Sequence, residues 1–239
     1  QLTRRRLDVS GGIYSNILTV SRCTVKLLGM SKSDSTEKKT YHHGDLRKVL
    51  LDHAACLLRE EGEEGLSMRN LAARTGVSRT APYHHFKDKQ ELLCAIAEEG
   101  FARFRTVFNP PGTDKDEPPT KDRIVRFVED YIAFATEHSE YYDLMFGSQL
   151  WKTEGLTASL TSEAHGTFRG YVDGIKEWKE QGAVPNTLDP LRYAQVTWST
   201  LHGMSRLLID GIYVDRHARN SMCKATAEMF WRELTVKHD

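Results

Sequence analysis

The chain has 239 residues, with 33 Lys and Arg balanced by 33 Asp and Glu for a formal charge of zero. That length suits one or two domains with cores large enough to stand without staples, and no apolar run approaches the roughly 18 residues of a membrane span. Four cysteines stand apart at 23, 56, 94 and 223 with no CxxC pair, so neither a zinc site nor a disulfide framework is expected, and Cys56 and Cys94 read as small core residues in a reducing cytosol.

Residues 1–40 carry eight Lys and Arg against three Asp and Glu and read as a disordered basic extension. They lack the clean apolar stretch of a signal peptide. Met30, followed by the polar run "SKSDSTEKKT", is a candidate true start; the alternative is a basic arm that binds DNA backbone. From Gly44, "GDLRKVLLDHAACLLREEG" sets Leu46, Val49, Leu50, Leu57 and Leu58 near helical spacing, with Gly62 as the stop. Ser67 is predicted to cap a second helix over Met68–Thr75, with Gly76 just past its end. A third short helix is predicted over about 78–86, with Pro82 inside it. Asp88 with Glu91 three residues later marks the cap of a fourth, which carries Leu92, Leu93, Ile96, Phe101 and Phe104 on one side.

"NPPGTDKDEPPT", residues 109–120, holds four of the seven prolines and reads as a loop. Further helices are predicted over about 121–138, 139–147, 154–181, 190–212 and 216–235; Asp189-Pro190 is a cap followed by proline at the first helical position. No alternating strand pattern and no internal repeat appear. The predicted architecture is all-α, with about nine helices. A three-helix helix-turn-helix bundle occupies 41–108, and 121–239 forms a larger C-terminal helical domain for regulation and dimerisation.

Two short helices joined by a tight turn, the second cationic and rich in hydroxyls, form a helix-turn-helix. Ala72 offers a small side chain where the helices cross, and Gly76 allows the left-handed turn. In such a unit the second helix enters the DNA major groove. Arg79 can contact guanine with two hydrogen bonds and Thr80 a thymine methyl or a phosphate. Tyr83, His84, Lys87 and Lys89 suit phosphate contacts. Amides at the start of the fourth helix, near Lys89, could hold a phosphate too. Ser67, Arg69 and Ser78 complete the candidate DNA-binding set. The plainer alternative makes Tyr83, His85 and Phe86 packing residues and Lys87 and Lys89 solvated charges.

The stretch "LSMRNLAARTGVSRTAPYHHFKDKQELLCAI", residues 66–96, closely resembles the DNA-binding motif of the TetR family of bacterial transcriptional regulators, through Gly76, Val77, Ser78, Tyr83, His85, Phe86, Lys89, Leu92 and Leu93. The lead-in "YHHGDLRKVLLDHA" is similar too. Pro82 departs from the aliphatic residue common there in relatives; its ring is expected to face the first two helices, with a late or tightened first turn. "TWSTLHGMSRLLIDG", residues 197–211, resembles the WHG-type C-terminal domain of a TetR subgroup through Trp198, His202 and Gly203, and "HSEYYDLMFG", 138–147, resembles a segment of many members.

The resemblance implies a small-ligand domain and a homodimer through helices about 190–212 and 216–235. On the first, Tyr193, Val196, Thr197, Thr200, Leu201, Met204, Leu207 and Leu208 make a broad stripe. On the second, Met222, Ala225, Met229, Phe230 and Leu234 make another. Candidate pocket residues are Phe127, Tyr131, Phe134, Tyr142, Phe146, Trp151, Phe168, Tyr171, Trp198 and His202, with His165 as a further hydrogen-bonding group; ordinary core packing is the alternative for each.

The function expected from these features is a cytoplasmic, homodimeric, ligand-responsive repressor. It would bind a palindromic double-stranded operator and be released by a small, largely apolar effector, with signals relayed along 89–108, where Gly100 is either a flexible point or a close-packing one. The rival reading is a helical interaction protein, or a regulator with no effector. No GxSxG, HExxH or phosphate loop points to an enzyme. The adjacent histidines at 42–43 and 84–85 do not share a helix face, and neither a metal nor a cofactor is expected.

Overall fold

Nine α-helices and one 3-10 turn account for the secondary structure of the described residues, and no strand occurs among them. The structure is a computed structural model that describes residues 43–108, 117–213 and 216–235. The expectations for 1–40, including the Met30 start and the basic arm, lie outside the described residues, as does most of the 109–120 loop.

The helices begin and end where local chemistry dictates. Helix α1 (His43–Gly65) runs past its expected stop: Gly62 adopts φ 71°, ψ −174°, which breaks the helix with a kink, and one more turn follows. Helix α2 (Met68–Thr75) is capped by Ser67, whose Oγ accepts from the Asn70 amide at 3.1 Å. Gly76, at φ 70°, closes it in the left-handed conformation that a side chain would disfavour, and the Val77 amide turns back to the Ala72 carbonyl at 3.1 Å.

The short helix expected over about 78–86 is a single 3-10 turn, Ala81–His84. Ser78 does not cap it; its hydroxyl meets that of Thr80 at 3.1 Å. Pro82 sits within the first two positions of the turn, where a missing N–H costs nothing, and its ring is buried. The tightened start and the inward proline match the expectation. The chain resumes α-type bonding at once, with the Phe86 amide on the Pro82 carbonyl at 2.9 Å.

Helix α3 (Lys89–Phe108) joins the two halves. Its start is held reciprocally: Asp88 Oδ1 accepts from the Glu91 amide at 2.9 Å, and Glu91 Oε2 accepts from the Lys87 amide at 2.7 Å. Its first half buries Leu92, Leu93 and Ile96 with Leu50, Ala54, Leu57, Leu71 and Phe86 of the N-terminal bundle. Its second half buries Phe101 and Phe104 in the C-terminal bundle, packed against α4 (Lys121–Glu137), α5 (Ser139–Phe146) and α7 (Ala158–Glu180). The short α6 (Ser148–Lys152) was not anticipated as a separate element. Helix α8 (Pro190–Ile209), capped by Asp189, packs on α4 and α7, while α9 (Arg216–Thr235) lies along α4. Cys94 and Cys223 are free buried thiols.

One ionic contact ties the N-terminal bundle to the C-terminal one. Glu140 of α5 is almost wholly buried and accepts from both Nε (3.0 Å) and Nη2 of Arg59 of α1. Beside it, Arg103 of α3 reaches Asp52 of α1 at 3.0 Å and lies 4.8 Å over the Tyr141 ring. Gly100 is a close-packing glycine: a Cβ there would lie 2.7 Å from Met145 Sδ and 3.2 Å from Tyr141 Cβ.

Candidate DNA-binding surface and effector cleft

The turn-defined unit carries an exposed polar surface on a buried apolar base. Leu71, Ala72, Pro82 and Phe86 are buried beneath it, and Arg47 lies 5.5 Å over the Phe86 ring. Above them, Arg69, Ser78, Arg79, Thr80, Tyr83, His84 and Lys87 are exposed. Tyr83 is 56% exposed, unusual for so large a ring. Arg69, Arg79 and Lys87 are exposed and form no ion pair among the described residues.

Two of the nine sequence-derived residues have structural duties. Ser67 is half-buried and occupied as the α2 cap. Lys89 folds back, its Nζ donating to the Glu63 carbonyl just past the kink in α1 at 2.5 Å, so one of its three N–H donors serves the bundle. The amides expected to cradle a phosphate at the start of α3 include Glu91's, already taken by Asp88. Arg74, in the last turn of α2, is neutralised by Glu60 through two contacts of 2.6 and 2.9 Å.

The C-terminal bundle is built around an aromatic core. Phe104 is fully buried and meets the rings of Tyr131 (4.9 Å), Phe134 (5.0 Å) and Trp198 (5.8 Å). Phe108 stacks on Trp198 at 5.2 Å and 11°. Polar tips are satisfied within this core: Tyr131 and Tyr142 hydroxyls meet at 3.2 Å, Tyr142 meets His202 Nδ1 at 2.8 Å, and Tyr171 meets Thr197 Oγ1 at 2.8 Å. Burial pushes the Tyr142 hydroxyl up to about 12 and raises Tyr131 and Tyr171 as well. Burial, helped by the Arg206 charge, holds the His202 imidazole below its ordinary value. These side chains are neutral near pH 7.

A cleft of about 370 Å³ opens beside this core, lined by Phe101, Met145, Phe146, Trp151, Ala164, His165, Phe168 and Trp198. It brings together Phe146, Trp151, Phe168 and Trp198 of the ten candidate pocket residues. Phe127, Tyr131, Phe134, Tyr142, Tyr171 and His202 do not line it; they pack in or around the core behind it. Phe101, Met145 and Ala164 line it as well and are not among the ten candidates. Phe101 sits on the helix read as a relay, and its spacing with Phe104 and Phe108 along one face was the available signal.

Residues 50–96 match the family described as bacterial regulatory proteins, tetR family, and residues 124–230 match the tetracyclin repressor-like C-terminal domain. The chain belongs to the TetR family. Among solved structures, a protein of unknown function from Rhodococcus sp. RHA1 is similar at 32% identity and a TM-score of 0.69, over 83% of this chain and 100% of that one. The HTH-type transcriptional repressor AcnR of Corynebacterium glutamicum is 41% identical over 66 residues, 28% of this chain and 35% of the relative. The tetracycline repressor protein class C of Escherichia coli is 48% identical over 52 residues, 22% of this chain and 24% of the relative. The match therefore spans about a third or less of these two repressors.

Proposed function

We propose that the chain is a DNA-binding transcriptional regulator of the cytoplasm, most simply a homodimeric repressor released by a small, largely apolar effector. Residues 41–108 read the operator, and 121–239 hold the effector and the dimer contact. The observation that carries this reading is the exposed set Ser78, Arg79, Thr80, Tyr83, His84 and Lys87, held up by buried Pro82 and Phe86. The names of the two partial relatives, both repressors, support the same direction.

Arg79 and Thr80 precede the 3-10 turn and lead towards base edges, while Tyr83, His84 and Lys87 take phosphates. Apart from Tyr83, the large hydrophobic residues left exposed among the described residues are Leu191, Val196, Ile212, Tyr213 and Met229, all on α8, α9 or the loop between them. That concentration supports a second copy docking on this face, which two-fold symmetry would match to a palindromic operator. The ring-lined cleft, with no charged carboxylate, lysine or arginine on its wall, supports an apolar effector. An effector that binds better when the reading heads are wrongly spaced weakens DNA binding by that difference in affinity.

The test is selection of the full chain's preferred sequence from random duplex DNA, then mobility shift at two salt concentrations. A specific site with a steep salt dependence is expected. Arg79→Ala and Tyr83→Ala should each weaken it tenfold or more; unchanged binding in both would sink the assignment of the reading surface.

A further inference from the structure

The rings beside the cleft form an ordered series. Trp151 meets Phe101 at 6.4 Å and 83°, and Phe101 meets Phe146 at 5.5 Å and 75°. Phe146 meets Trp198 at 6.1 Å and 73°, and Trp198 meets Phe168 at 5.4 Å and 77°. Each successive pair is edge-to-face, the arrangement in which a ring's positive edge points at its neighbour's negative face. The series is open. Trp151 and Phe168 are its ends, both half-buried, and neither has a second aromatic partner among the described residues. All five rings line the same cleft.

The polar side-chain groups are sparse. Trp151 has spent its indole N–H on the Met145 carbonyl at 2.8 Å. His165, one turn before Phe168 on α7, is exposed and has no partner among the described residues. The wall thus offers a free imidazole and no carboxylate. A volume of about 370 Å³ is near the small end of the range for small-molecule sites, enough for a fused bicyclic ring with one short substituent.

We propose that the effector is a planar aromatic compound carrying a single hydrogen-bond acceptor or carboxylate. Its ring closes the open series between Phe168 and Trp151, and its acceptor faces His165. This rests on the reading of the cleft as the effector site and names the ligand class for it. A flexible acyl chain of equal size would fill the cleft but gain no edge-to-face contacts, and ordering it would cost more rotamer freedom.

The test uses the full chain and three probes in isothermal titration calorimetry: 2-naphthoate, naphthalene and decanoate. The expected order is 2-naphthoate at least tenfold tighter than decanoate. Phe168→Leu, which keeps an apolar side chain and removes the ring, should weaken 2-naphthoate roughly three- to tenfold and leave decanoate unchanged. His165→Ala, at an exposed position, should weaken 2-naphthoate and leave naphthalene unchanged. Decanoate binding as well as or better than 2-naphthoate would overturn the aromatic class while keeping the effector site. Insensitivity to both substitutions would put the ligand elsewhere and overturn the proposal. No binding of 2-naphthoate or decanoate at millimolar concentration, nor of naphthalene at saturation, would overturn the effector reading itself, and this inference with it.

Discussion

Replacing Arg59 by Met removes the cation opposite a buried carboxylate and keeps most of the side chain's apolar stem. The Glu140 side chain is 3% exposed and that of Arg59 38%. Breaking a fully buried pair by deleting one partner costs about 3–5 kcal/mol, because the remaining charge is left without compensation. Water moderates that cost here. Arg59 lies partly in solvent, and Glu140 borders a cleft of about 300 Å³ between α1 and the α5–α6 turn. Discounting by about half for solvent screening leaves about 2 kcal/mol. For a chain of this size the melting midpoint should fall by about 4–8 °C.

Adding Glu140→Leu to Arg59→Met removes the stranded charge, and the double variant should return to within about 1 kcal/mol of the parent. Calorimetric melts of the parent, both single variants and the double variant give the coupling directly. A single Arg59→Met variant within about 0.5 kcal/mol of the parent would refute the reasoning. So would a double variant no more stable than Arg59→Met alone. The contact is the ionic tie between the N-terminal bundle and α5, which also carries Met145 and Phe146 of the cleft.

Other consequences concern pH, the proline and the dimer face. Burial holds both His138 and His202 below their ordinary values. The unfolded chain therefore takes up protons at these sites as pH falls through about 6.5, before the folded chain does. Stability should be full above that value and decline below it, and His202→Asn should flatten part of the decline when melting midpoints are followed from pH 7.5 to 5.5. Pro82→Ala should cost about 1–2 kcal/mol through lost ring burial and a freer unfolded chain, read by urea titration; an unchanged midpoint would contradict the inward packing of the ring. Val196→Glu combined with Met229→Glu should halve the sedimenting mass of the full chain if α8 and α9 form the dimer contact, and a mass equal to the parent's would rule that face out.

The legibility of the chain varied with the range of the interactions involved. Ser67, Asp88 and Asp189 cap helices through bonds to amides two or three residues away, and Gly76 ends α2 through its own φ. Such interactions are complete within one turn of chain, so residue type and spacing are enough to find them. Pro82 was legible for the same reason. Its missing N–H and fixed φ forecast a tight start, and a 3-10 turn is the form that start takes.

The site was less legible because its residues are assembled from distant segments. Periodicity marks a helix's apolar face but not which ring that face will meet. Ten aromatic and histidine candidates therefore looked equivalent, until packing of α3, α5, α7 and α8 set four of them on the cleft and the others in or around the core. Lys89 reads as a free cation until the kink at Gly62 brings the Glu63 carbonyl to it. Arg59 and Glu140 are separated by 81 positions, and no local pattern links them. By itself, the sequence determined most of the helices, the caps at Ser67, Asp88 and Asp189, and the turn at Gly76 that builds the reading surface, because those depend on bonds within about four residues. Only the tertiary structure decided which cations stay free, which rings face the cleft, and where a buried charge joins the two bundles, because burial and pairing depend on which helix faces meet.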